Sequence, residues 1–142
     1  MKPLNREESG NFGESQVFDK LVSLGHTVEY AATNQKGYDL FILNEKKRIE
    51  VKHIQRSGSA SHDSFILKES QAELNAFDNL ILLVSDYGFD NSKYYIFSNQ
   101  EIQSIFSNKR TSSGNYTFNL NKEGTKLAGK NLFEFKDKWD KI

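Results

Sequence analysis

Apolar residues change their period along this chain, and the changes lay out its elements. Over residues 12–24, Val17, Phe18, Leu21 and Leu24 recur three and four apart, the spacing of one helix face. Asn11 has the side chain of an N-cap, and Gly25 the backbone freedom of a C′ residue. Residues 26–30 then read as a short strand. Residues 38–43 and 48–54 read as two strands joined by the polar turn Asn44-Glu45-Lys46-Lys47. The Ser-, Gly- and His-rich stretch 58–63 reads as a loop. A second helix is expected at about 71–77, with Ser70 as N-cap and Glu73 completing a capping box. Residues 79–85 are apolar enough for the centre of a sheet; 94–97 follow as a strand and 99–106 as a short helix. In the tail, 116–120 alternate like a strand and 122–129 are polar. Residues 132–139 suit a closing strand or helix that docks Phe133, Phe135 and Trp139. The order is helix, three strands, helix, two strands, which places the chain in the α/β class, with a mixed sheet flanked by helices.

The length of 142 residues suits one domain, with a core over about 12–97 and a C-terminal addition over about 98–142. Eleven Phe and six Tyr supply much of the apolar volume. The absence of cysteine excludes disulfides, thiolate zinc sites and cysteine nucleophiles. The N-terminus carries no apolar stretch of signal-peptide type, and the run 80–84 is too short to span a membrane, so a cytoplasmic location is expected. Nineteen basic and nineteen acidic residues balance. That argues against a broad cationic coat but leaves room for a local patch that holds a few phosphates.

The chemistry concentrates in Gly37-Tyr38-Asp39-Leu40-Phe41-Ile42-Leu43 and Arg48-Ile49-Glu50-Val51-Lys52. Side chains alternate along a strand, so Glu50 and Lys52 share one face while Ile49 and Val51 share the other. With 44–47 as the turn, Leu43 lies opposite Arg48, Phe41 opposite Glu50 and Asp39 opposite Lys52. Opposed residues share a face, so Asp39, Glu50 and Lys52 converge. A slip of one residue would send Asp39 to the other side. Two carboxylates and an amine are costly if buried and idle, and hard oxygen ligands suit Mg²⁺ or Mn²⁺. The same three residue types also make a solvated hairpin face with a cross-strand ion pair.

A Gly-x-Asp strand, a turn, and an apolar-Glu-apolar-Lys strand resemble the core motif of the PD-(D/E)XK nucleases, the superfamily of restriction endonucleases, Holliday-junction resolvases and repair nucleases. The resemblance covers roughly residues 12–97, and the superfamily's αβββαβ core matches the order above. Tyr38 stands where the proline of the family's name would be. The resemblance implies a restriction endonuclease-like fold and a Mg²⁺-dependent endonuclease acting on DNA, with RNA left open. Asp39 and Glu50 would bind metal, Lys52 would serve the attacking water, and a homodimer would cut two strands. Glu14, on the core-facing stripe of the first helix, matches a helical Glu that completes the acidic cluster in many members. Asn11 and Glu14 also have capping-box spacing, which would give Glu14 a structural role instead. Gln71 matches a Gln that contacts the site in some members, and equally fits a solvated first helical turn.

Arg56, His62 and Lys68 flank the 58–63 loop and are candidate phosphate contacts, though each alone is ordinary surface chemistry. His53 is expected on the opposite strand face from Lys52, in a packing or surface role. Two other readings stay open: a nucleic-acid-binding module that keeps the fold without cutting, and a partner-binding subunit of a DNA repair or defence system.

Overall fold

The computed structural model describes residues 4–32, 37–56, 63–73, 75–86, 91–106 and 114–142. A five-stranded mixed sheet forms its middle layer. The strands are β1 (Val28–Tyr30), β2 (Leu40–Ile42), β3 (Lys47–Gln55), β5 (Asn79–Ser85) and β6 (Ser92–Ser98), in the spatial order β1-β2-β3-β5-β6. All neighbours are antiparallel except β3 and β5, which run parallel with Glu50 beside Leu80 and Lys52 beside Leu82. Strand β5 is buried along its whole length, as its unbroken apolar run requires. The expected α/β class and mixed sheet are therefore present.

One face of this sheet packs on α1 (Arg6–Ser23). Val17 and Leu21, both fully buried, meet Leu40, Ile42, Ile49, Ile81 and Ile96. The helix starts well before the expected Asn11. Asn5 is the N-cap: its side chain accepts from Glu8 N–H at 2.9 Å, and the Glu8 carboxylate accepts from Asn5 N–H at 3.0 Å. This capping box is written in the sequence as Asn5-x-x-Glu8, but Gly10 and Gly13 break the helical pattern behind it. The helix ends as expected at Gly25, whose φ of +95° lets its N–H reach Val22 O and His26 N–H reach Leu21 O.

The other face is covered by a second sheet rather than by a helix. Strands β4 (Asp63–Leu67), β7 (Tyr116–Leu120), β8 (Lys126–Leu127) and β9 (Lys130–Asn131) pair in that order. Phe65 stacks on Phe118 at 4.7 Å, and both join Leu67, Leu120 and Leu127 against Leu80, Leu82 and Phe97 of the main sheet. Helix α2 (Asn99–Phe106) completes this layer through Ile102 and Ile105. Among the described residues, those beyond 98 thus supply seven of the seventeen buried side chains of the larger core. Phe135 is buried there against Phe97, and Trp139 packs on Tyr94, but Phe133 is 81% exposed and does not dock as expected.

The second helix expected at 71–77 does not form. Its described residues make separate turns, closed by Ala72 N–H to Lys68 O and Ala76 N–H to Glu73 O. Side chains of α2 bind carbonyls of this segment instead: Gln103 donates to Ala72 O, which a helix would have given to Ala76 N–H, and Asn99 donates to Phe77 O. The β2–β3 register also differs from expectation. Phe41 lies opposite Arg48, and Leu40 opposite Ile49, with 43–46 as the turn. Phe41 therefore faces Arg48 instead of Glu50, a shift of two positions. An even shift preserves the faces, so Asp39 and Glu50 stay on the same side.

Gly37 makes this hairpin possible at its entrance. Its φ is +95°, and a Cβ there would stand 2.9 Å from Ala76 O and 3.1 Å from Ala76 Cβ. Gly25 has the same φ with open space around it. Gly37→Ala is expected to cost about 1–3 kcal/mol through combined strain and displacement of the 75–78 turn. Gly25→Ala should cost less, on the order of 1 kcal/mol. Urea denaturation of the two variants measures the difference; equal losses would contradict the role given to the Ala76 contact.

Candidate functional site

A cleft of about 450 Å³ opens where α1, β3 and β4 meet. Strand β3 forms its floor with Glu50, Val51, Lys52 and His53. One wall is α1, with Arg6, Ser9, Gly10 and Glu14; the other is β4, with Ser64, Phe65 and Ile66. Asp39 and Gln71 close the end near Glu50. The structure thus brings Glu14, Asp39, Glu50, Lys52 and Gln71 into one cleft.

Local backbone geometry explains each placement. Asp39 precedes β2, where regular pairing has stopped, and its Oδ2 accepts from Val51 N–H at 2.8 Å. Its own N–H donates to Ile49 O at 2.8 Å, which holds the carboxylate beside β3. Glu50 is 1% exposed. It lies on the strand face shared with Lys52, while Ile49 and Val51 face α1. Gln71 sits in a turn rather than on a helix. Its Oε1 accepts from Lys68 N–H at 3.0 Å, and its Nε2 donates to Glu50 Oε2 at 3.1 Å. These two bonds fix which way the amide points.

Glu14 reaches the cleft because α1 lies unusually close to β3. A Cβ on Gly13 would stand 2.8 Å from His53 Cβ, so only glycine permits this approach. With the helix start at Asn5, the Asn11–Glu14 capping box does not exist, and the Glu14 carboxyl is left facing the cleft.

The acids perturb one another. Burial, then the Asp39 carboxylate, raise the Glu14 carboxyl from its ordinary 4.5 to about 7, with Lys52 pulling the other way. Burial is also the largest cause raising Glu50 well above the carboxylate range; a hydrogen bond with Asp39 and the charge of Asp39 add to it, and Lys52 offsets part. The uncharged form of Glu50 is thereby stabilised relative to that of a solvated carboxyl. His53 is pushed down by burial, with Ser9 O opposing, and stays uncharged at neutral pH. Its Nε2 meets Ser85 Oγ at 2.7 Å and its Nδ1 meets Ser9 Oγ at 2.9 Å, so it pins α1 to the sheet.

Three carboxyls crowded into one partly buried site, two of them shifted upward, form a donor set of hard oxygens that suits a divalent cation. Among the described residues, no three His, Asp or Glu side chains already stand close enough together to hold one. Asp39 and Glu50 are instead engaged with Val51 N–H and Gln71, and would have to turn from them to a shared ion.

The remaining candidates separate from the site. Arg56 donates to Lys122 O and lies 3.9 Å from Asp86, away from the cleft lining. Lys68 is exposed and reaches the site only through its backbone bond to Gln71. His62 falls outside the described residues. Arg6, Ser9, Gly10 and Ser64 were not legible as site residues: the first three depend on knowing where α1 begins, and Ser64 on β4, a strand the sequence did not suggest.

No family model matches the chain, and no curated protein matches it in sequence. Its fold is similar to a solved structure described as that of a bacterial homing endonuclease, I-Ssp6803I. The likeness has a TM-score of 0.53 and covers 68% of this chain and 71% of that one, at 15% identity. At that identity the likeness is one of fold. No helix among the described residues is long and apolar enough to cross a membrane.

The raised Glu14 has a consequence for stability. Between pH 4.5 and about 7 the folded chain keeps a proton that the unfolded chain has lost. Folding stability from this group therefore falls as pH rises through that window and levels off above it. In EDTA, thermal melts from pH 4.5 to 8 should show a smaller decline in Glu14→Gln than in the unsubstituted protein. Identical pH profiles would contradict the raised value.

Proposed function

We propose that this protein is a metal-dependent endonuclease that hydrolyses DNA phosphodiester bonds by a PD-(D/E)XK mechanism. The single observation that carries this reading is the meeting of Glu14, Asp39, Glu50 and Lys52 in one cleft, from α1, the residue before β2, and β3. The nuclease-like fold supports it.

Glu14, Asp39 and Glu50 would hold Mg²⁺, or Mn²⁺ in its place, directly or through water. Bound there, the ion would neutralise charge developing on the phosphate and lower the pKa of water. The chain's own groups do the rest. Lys52 places an ammonium on the floor beside Glu50, where it orients the attacking water and stabilises the negative transition state. Water adds to phosphorus, the bond to the 3′ oxygen breaks, and the products are a 5′-phosphate and a 3′-hydroxyl. Gln71 holds the Glu50 carboxyl in place through its Nε2 and acts as a positioning residue. Two copies would cut both strands of a duplex together, and sedimentation in the presence of DNA tests that pairing.

A second reading keeps the fold but not the cutting. It draws on the inward hydrogen bonds of Asp39 and Glu50, which leave each carboxylate partly satisfied without an ion.

The test is incubation with supercoiled, linear and branched DNA, and with RNA, in Mg²⁺ or Mn²⁺. Glu50→Gln and Lys52→Ala are each expected to lose on the order of 100-fold or more in cleavage rate. Glu50→Gln should fold normally, because it removes an acid that burial already disfavours. Cleavage that persists unchanged in both variants would overturn the mechanism; DNA binding without any cleavage would favour the second reading.

A further inference from the structure

The N-terminal half of α1 carries two features that neither the fold nor the acidic cluster explains. Arg6 lies on the cleft wall, is exposed, and has no ion-pair partner among the described residues. It is also the first helical residue after the N-cap Asn5, where the helix dipole disfavours a cation and where Glu7 and Glu8 are the favourable occupants. Gly10 lies on the same wall. A glycine inside a helix is entropically costly. At Gly13 that cost has a structural reason, the 2.8 Å approach of His53 Cβ. Gly10 has none, since a Cβ there would meet nothing within 4 Å. It would project into open space along the cleft wall.

Arg6, Gly10 and Glu14 follow at intervals of four, so they line one face of the helix. At a rise of about 1.5 Å per residue, Arg6 lies about 12 Å along the axis from Glu14. We propose that Arg6 and the bare backbone at Gly10 form a subsite for the DNA backbone, about 12 Å along α1 from the acidic cluster. The strand lies along the N-terminal half of α1. Gly10 leaves room for sugar and phosphate to approach the helix, and Arg6 grips the phosphate beyond it with its planar fork of donors. This subsite rests on the nuclease reading. It supplies register and affinity but no sequence preference, because phosphates carry none.

The test is equilibrium binding of a fluorescently labelled duplex of about 20 base pairs, in Ca²⁺, over a series of salt concentrations. Arg6→Gln is expected to weaken binding about five- to tenfold at 0.1 M salt, equally for unrelated sequences, and to lower the salt slope by about one. Gly10→Leu fills the open wall with a better helix former, so it should raise thermal stability while weakening binding. Lys20→Gln removes the same charge from the far end of the same helix and should leave the slope unchanged. An unchanged slope in Arg6→Gln, or an equal fall in Lys20→Gln, would overturn the subsite while leaving the nuclease reading intact. Failure of the unsubstituted protein to bind or cut DNA would overturn both.

Discussion

A single buried carboxyl, that of Glu50, sets the terms for the structure around it. Strand β3 is paired on both sides, by β2 and β5, so it cannot rotate to release one side chain. Turning Glu50 outward would drag Ile49 and Val51 out of the core against α1. An unpaired carboxylate in such a place costs several kcal/mol. The protein limits that cost with the Gln71 amide, the nearby Lys52 and a raised affinity for a proton. The site is thus a compromise between a strand that must stay central and an acid that stays on it.

The two cores serve this arrangement from opposite sides. Beneath the sheet, the Gly13–His53 contact brings α1 close enough for Glu14 to reach the cleft. Above it, β4 and the turn carrying Gln71 are held by β7 and α2, elements from the C-terminal third of the chain. Phe65 and Phe118 anchor β4, whose Ser64 and Ile66 form the second wall. The tail is therefore structural support for the site's far wall and not an appendage beside it.

Much of this was legible in the sequence because strand period is a strong constraint. Glu50 and Lys52 had to share a face, and Asp39 joined them under any even shift of the hairpin, including the one that occurs. The apolar run of β5 and the pattern of β7 announced themselves with the bounds they have. What stayed hidden depended on tertiary contacts. Gly10 and Gly13 masked the first turns of α1, although Gly13 is there for packing. Residues 71–77 carry helical capping signals, but their carbonyls are bound by Asn99 and Gln103 from a distant helix. Phe133 has the composition of an anchor and sits in solvent, because the short turn at Phe133–Phe135 can direct only Phe135 inward.

The proposed nuclease chemistry turns on Asp39 and Glu50 sharing one cation. Anomalous diffraction from crystals equilibrated with Mn²⁺ tests it most directly. That chemistry requires a peak in the cleft within about 2.0–2.3 Å of carboxylate oxygens from both Asp39 and Glu50, with Glu14 bound directly or through water. A peak elsewhere, or an empty cleft with Asp39 still on Val51 N–H and Glu50 still on Gln71, would contradict it.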